Sequence, residues 1–139
     1  ANVSDPEGKT VGVFKKKLGI DPVVGWLVAV EGPERGKDLR ITAEKNFIGR
    51  SEKMDIPITG DPSVSRENHA IVSYNPKNNS FRILPGDGRG LVYLNDEEVL
   101  TPLVLNPYDL IEVGESKLLF VPFCNEQFQW KESKEEEPS

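Results

Sequence analysis

The sequence predicts an all-β domain, built as a sandwich or barrel, and three observations carry that prediction. Short runs rich in Val, Ile, Leu, Phe and Tyr recur through the middle of the chain, and a turn signal follows almost every one. Around residue 70 the pattern alternates: Ala70, Val72 and Tyr74 fall on one face, His69, Ile71 and Ser73 on the other. No stretch long enough for a core helix repeats its apolar residues at the 3.6-residue spacing a helix requires.

Taken in order, Val23 to Val30 reads as an almost continuous apolar strand, stopped by Gly32-Pro33-Glu34-Arg35-Gly36. Leu39 to Thr42, Asn46 to Gly49 and Ile56 to Ile58 follow as shorter strands. The alternating run from His69 to Tyr74 ends at Asn75-Pro76-Lys77-Asn78-Asn79, where proline and asparagine favour a tight reversal. Phe81 and Ile83 share a face of the next strand, which stops at Pro85-Gly86-Asp87-Gly88-Arg89-Gly90. Leu91 to Asn95, Glu98 to Leu100, Leu103 to Leu105, Leu110 to Val113 and Leu118 to Phe123 complete the set.

The two ends differ from this middle. Residues 1–20 read as an extension or linker in which Val11, Val13, Phe14, Leu18 and Ile20 follow no sustained period, and Gly12 and Gly19 oppose a helix. Residues 21–125 form the expected domain, and 126–139 an acidic tail expected to be disordered. Because the sequence begins at Ala1, it reads as a fragment of something longer. Its 139 residues suit one domain with a real core.

Composition narrows the function classes. A formal net charge of −6 argues against a nucleic-acid binder working through a broad basic surface. It leaves room for one bound phosphate, which a few local arginines decide. No apolar run approaches the roughly 18 residues of a membrane-spanning helix. Cys124 is the only cysteine, so the chain holds no internal disulfide and no multi-cysteine metal site, and a reducing, cytoplasmic compartment is the expectation. Neither a metal nor a cofactor is expected. Asn2-Val3-Ser4 and Asn78-Asn79-Ser80 match a glycosylation sequon, a motif short enough to recur by chance.

The residues with chemistry to offer sit in loops at predicted strand ends. Arg50 follows Gly49, and its guanidinium is a planar fork of donors suited to a phosphate. The plain alternative is a surface pair with Glu52, Asp55 or Asp61. Ser65, Arg66 and Asn68 lie in one tight loop, where a hydroxyl and backbone N–H groups can cradle an anion or simply make local turn bonds. His69 is the only histidine and more readily orders neighbouring loops than serves a triad with Ser65 and Asp61 or Asp109, because no Gly-x-Ser-x-Gly elbow is present. Asn95 offers an amide for clamping a peptide backbone, although Asn95-Asp96 is also a common hairpin turn. Gly86 to Gly90 reads as a flexible turn to which Arg89 adds positive potential, since no helix follows it to make a nucleotide loop.

In order, these residues resemble a known signature. Ile48-Gly49-Arg50, Asp55-Ile56, Val64-Ser65-Arg66 ahead of His69-Ala70-Ile71, and Leu94-Asn95 are similar to the forkhead-associated (FHA) domain pattern. The stretch from Leu105 to Phe120 is similar to that family's last strands, and the resemblance covers Val23 to Phe123, as in a bacterial-type module excised from a longer protein. It implies a sandwich of about eleven strands in two sheets, with binding loops at one end. It further implies an adaptor without catalytic activity that binds phosphothreonine-containing protein segments, preferring phosphothreonine because its methyl fills a small apolar niche. Side chains three residues beyond the phosphothreonine would tune the choice of ligand.

By the same resemblance Arg50 and Ser65 hold the phosphate, Asn95 holds the ligand backbone, and Gly49 and His69 keep the loops in shape. Ser65 to His69 is four positions where the family usually has three. Either the loop carries one extra residue, so that Asn68 also faces the phosphate, or Arg66 takes the place of the serine. Asp96 stands where glycine often follows the asparagine, and would disfavour acidic residues near it in the ligand. Thr10, with an apolar residue three positions on, is a candidate phosphorylated ligand for the chain's own site. The alternative function is a phosphate-independent interaction or assembly module of the same fold. A small hydrolase built on Ser65 and His69 is the third reading.

Overall fold

The computed structural model of the chain describes residues 21–131; the N-terminal extension with Thr10, and residues 132–139, lie outside the described residues. Eleven strands follow one another: β1 (Gly25–Glu31), β2 (Asp38–Ile41), β3 (Glu44–Gly49), β4 (Ile56–Pro57), β5 (Ala70–Asn75), β6 (Ser80–Pro85), β7 (Val92–Leu94), β8 (Glu97–Glu98), β9 (Leu103–Val104), β10 (Leu110–Val113) and β11 (Ser116–Pro122). They form a six-stranded sheet, ordered β2-β1-β11-β10-β7-β8, and a five-stranded sheet, ordered β4-β3-β5-β6-β9. The expected two-sheet sandwich is therefore what the chain adopts. Pairing is antiparallel except between β3 and β4, where Ile48 lies opposite Ile56.

Alternation along each strand builds the core. Leu27 and Ala29 of β1, Ile111 and Val113 of β10, and Leu118 and Phe120 of β11 point inward from one sheet. Ile48 of β3, Ala70, Val72 and Tyr74 of β5, and Phe81 and Ile83 of β6 meet them from the other. Phe81 locks the layers together: its ring centroid lies 4.6 Å from that of Tyr74 and 4.7 Å from that of Phe120 across the sandwich.

β3 starts two residues earlier than the sequence suggests, and Asn46 explains the difference. Its amide is buried, donates to the carbonyls of Thr42 (2.8 Å) and Val72 (3.1 Å), and accepts from the Thr42 N–H (3.0 Å). A polar residue so fully bonded lies in a strand interior at little cost.

The domain also runs past residue 125, the boundary expected from sequence. The N–H groups of Phe123 and Cys124 both donate to the Val24 carbonyl at 2.9 Å. Phe128 and Trp130 pack their rings against Phe123, and the Trp130 indole N–H donates to the Val23 carbonyl at 2.8 Å. Residues 126–130, expected in a disordered tail, instead pack on the sandwich because two aromatic rings and an indole donor find partners near its first strand.

Asp61 fixes the long connection between β4 and β5. It is fully buried and accepts from the Ser63 N–H (2.9 Å), the Ser116 hydroxyl (2.6 Å) and the Glu115 N–H (3.0 Å), with the Ser63 hydroxyl as a further donor. The carboxylate thus ties the connection to the β10–β11 turn. Burial alone would raise its pKa, but the bonds from Ser116, Ser63 and Glu115 outweigh that and hold it below the ordinary 3.8. A carboxyl whose pKa is depressed by folding contributes stability above its unfolded value and loses it as pH falls through the folded one. Asp61→Asn should therefore lower unfolding free energy at neutral pH by about 1–3 kcal/mol, and the gap to the parent chain should shrink below pH ~4. Urea unfolding followed over a pH series checks both.

Candidate functional site

β3 delivers Arg50 to one end of the sandwich. At Gly49 an added Cβ would stand 2.8 Å from the Arg66 carbonyl oxygen and 3.0 Å from the Glu67 Cα, so only glycine lets the two segments lie this close. The N–H groups of Arg50 and Ser51 then donate to the carbonyls of Ser65 and Arg66, each at 2.9 Å. The half-buried Arg50 side chain donates from Nε to the Val64 carbonyl at 3.2 Å. Asp61 is committed as described, Asp55 accepts from the Phe47 N–H at 3.0 Å, and among the described residues no carboxylate pairs with Arg50. One edge of the guanidinium is anchored and its terminal nitrogens stay open to a ligand.

The connection before β5 supplies the second group. The Ser65 N–H donates to Nδ1 of His69 at 2.9 Å, which makes Nδ1 the acceptor. Nε2 therefore carries the ring proton and donates to the Leu91 carbonyl, 2.9 Å away. The imidazole is buried and bonded at both nitrogens. The Ser65 Oγ accepts from the Gly90 N–H at 3.3 Å, leaving the hydroxyl proton available to donate outward. The four-residue step from Ser65 to His69 is accommodated by Asn68, whose backbone is left-handed at φ 50°. Asn68 donates its N–H to the Met54 sulfur (3.5 Å), and it lines a shallow hollow with Phe47, Lys53, Met54 and Asp55. Arg66 is exposed beside Ser65.

The segment from Gly86 to Gly90 is the third wall, and it is packed rather than loose. An added Cβ at Gly86 would fall 1.8 Å from the Asn68 carbonyl oxygen, and one at Gly90 would fall 2.3 Å from the His69 ring. One at Gly88 would meet Ser65 Oγ at 2.9 Å. The Gly86 and Gly88 N–H groups donate to the His69 and Asn68 carbonyls, at 3.2 and 3.1 Å. These glycines, and the Leu91 carbonyl after them, shape the candidate site, where the sequence alone reads as a flexible turn. The available signal was three glycines alternating directly ahead of a strand, a pattern of close backbone approach. Arg89 lies exposed between Gly88 and Gly90, beside Ser65.

The structure brings together Arg50, Ser65, Arg66, His69 and Arg89, with Gly49 and Asn68 behind them. Asn95 it places elsewhere, four residues or roughly 13 Å along β7 from Leu91. Its amide donates to Asp109 (3.0 Å), and its oxygen accepts from the Leu110 N–H (2.9 Å). Asn95 and Asp96, with φ of 50° and 72°, form the turn between β7 and β8. The Ser65 hydroxyl is not bonded to His69, and Asp61 and Asp109 bond other groups, so no serine–histidine–carboxylate relay is assembled. Among the described residues no three of His, Cys, Asp and Glu gather as metal ligands.

Comparison with known proteins agrees with this architecture. The family model for the FHA domain matches residues 46–114, which hold all three walls of the site. Among solved structures, the FHA domain of the Chlamydia trachomatis protein CT664 superposes with a TM-score of 0.63 at 19% identity, covering 72% of this chain and 98% of that one. The FHA domain of an Arabidopsis thaliana hypothetical protein gives 0.62 at 22% identity, covering 72% and 86%. The MEK1 FHA domain, in complex with a HOP1 phosphothreonine peptide, gives 0.56 at 20% identity, covering 73% and 99%. No curated protein sequence matches the chain. With its sandwich, its glycine-walled loops and the matching family model, the chain belongs to the FHA domain family.

Proposed function

We propose that the chain is a phosphothreonine-dependent protein-binding module, an adaptor rather than an enzyme. The observation that carries this reading is the pairing of an anchored, otherwise unpaired Arg50 guanidinium with a Ser65 hydroxyl whose proton is free. A phosphate of roughly −1.5 to −2 charges seated between them takes a bidentate arginine contact and a hydroxyl donor. The N–H groups of Arg66 and Glu67 have no partner among the described residues and add donors at the same place. A relative of the same fold is solved with a phosphothreonine peptide, which supports the ligand class.

His69 and the glycines act one step behind the ligand. The imidazole holds the Ser65 backbone and the start of β7 at fixed separation, so the hydroxyl and Arg50 meet a phosphate without rearrangement. A second reading, an interaction surface independent of phosphate, draws on Tyr108, which is 67% exposed and precedes β10 at the end of the sheet where Asn95 lies, away from the arginine loops.

Titration with a degenerate phosphothreonine peptide pool, beside phosphoserine and unphosphorylated pools, tests the main reading. Binding should require the phosphothreonine. Arg50→Ala should weaken it by about 30-fold or more, since losing one partner of a charge-assisted pair costs ~2–5 kcal/mol. Binding that ignores both phosphate and Arg50→Ala would instead support the second reading. Gly90→Ala forces a methyl onto the His69 ring, and should weaken phosphopeptide binding and cost about 1–3 kcal/mol of stability while circular dichroism still reports the β-sandwich.

A further inference from the structure

We infer that the site takes a phosphothreonine flanked within one or two residues by a second anionic group, and that Arg89 holds that group. This rests on the phosphothreonine reading above and specifies the ligand further. The Gly90 N–H sits 3.3 Å from Ser65 Oγ, and the Arg89 Cα is only two bonds, about 2.4 Å, from that nitrogen. The Arg89 backbone therefore stands within about 6 Å of the serine hydroxyl, well inside the reach of an arginine side chain. Packing fixes it there, because Gly88 and Gly90 are pressed against Ser65 and His69 on either side of it.

Two arginines thus approach Ser65 from different sheets. Arg50 comes from the end of β3 and hydrogen-bonds the Ser65 main chain; Arg89 comes from the loop entering β7 and adjoins the Ser65 hydroxyl. One phosphate is already served by the Arg50 fork, the Ser65 hydroxyl and the open N–H groups of residues 66 and 67. In an extended peptide, neighbouring residues lie about 3.3 Å apart and alternate ones about 7 Å, a span that an arginine side chain rooted within about 6 Å of the Ser65 hydroxyl can cover. Glu52, Glu67 and Asp87 are exposed on the same loops, yet none pairs with Arg50, Arg66 or Arg89 among the described residues. Arg89 is left with its charge available, in a chain whose net charge is −6. Asp96, which the sequence suggested would repel acidic ligands, sits with Asn95 at the far end of β7.

A carboxylate and a second phosphate share the chemistry that Arg89 would recognise, and peptide design separates them. Three degenerate phosphothreonine pools would be titrated against the full chain: one with neutral flanks, one with Asp fixed in turn at each position within two residues, and one with phosphoserine there instead. At one position Asp should tighten binding by up to about fivefold and phosphoserine by about tenfold. Arg89→Gln should abolish that gain, so that the neutral and anionic pools bind the variant alike. Equal binding of neutral and anionic pools overturns the inference and leaves the phosphothreonine reading standing. So does loss of the gain in Arg66→Gln rather than Arg89→Gln. Equal weakening of every pool by Arg89→Gln overturns it too, by assigning Arg89 to the phosphothreonine itself. If no phosphothreonine pool binds, both readings fall together.

Discussion

The buried His69 ring is the constraint on which the site depends. Its two nitrogens join a backbone N–H at Ser65, in the connection leading to one sheet, with a backbone carbonyl at Leu91, at the entry to the other. A single tautomer satisfies both bonds, so the ring works as a rigid spacer between the two halves of the sandwich. Everything at this end is registered against it. Gly90 is glycine because the ring lies where a Cβ would be, and Gly86 is glycine because the Asn68 carbonyl does. Asn68 turns left-handed to bring the ring into position, and Arg50 is in turn held against the Ser65 and Val64 carbonyls. A histidine acting as general base needs a ring nitrogen within hydrogen-bond reach of the proton it takes. Here both nitrogens bond backbone groups, the Ser65 N–H and the Leu91 carbonyl, and these hold the ring in place.

Asp61 has a matching role deeper in the domain, by a different physical route. Where His69 joins the sheets through neutral hydrogen bonds, Asp61 does so with a buried charge that four donors compensate. A buried carboxylate is tolerable only when its lone pairs are filled. The long connection between β4 and β5, which has little regular structure of its own, is therefore pinned at both ends, by Asp61 near its start and His69 at its finish. This is how irregular backbone presents Ser65 and Arg66 on a stable footing.

Much of the fold was legible because it rests on local patterns. The alternation of Ala70, Val72 and Tyr74 gave the buried face of β5, and the turn signals gave the spacing of most strands. What escaped depended on partners far away in sequence. Trp130 belongs to the domain through Val23, a bond across more than a hundred residues that no window around the tail reveals. The glycines from Gly86 to Gly90 looked like freedom and proved to be clearance, since the ring they make room for lies in another loop. Asn95-Asp96 shows the opposite case: the local reading as a hairpin turn is what the backbone displays, while the role suggested by resemblance places a ligand contact on an amide already bonded within the chain. Arg50 and Ser65 were picked out by chemical type, but only the structure shows which of their donors are already taken.

The bond from Trp130 to Val23 has a mechanical consequence. β1 begins at Gly25 directly opposite Pro122 near the close of β11, so the chain enters and leaves the described domain side by side. That pole lies beyond the β5–β6 turn, where Asn79 and Pro76 hold the residues after β11, and faces away from the arginines. Tension applied through the two ends therefore peels β1 from β11 one rung at a time, an unzipping load, and does not shear all rungs at once. The indole bond to Val23 and the paired bonds to Val24 are the first to carry that load. The arginine loops at the opposite pole are the last to feel it, so the grip on a ligand is insulated from strain along the chain that bears it.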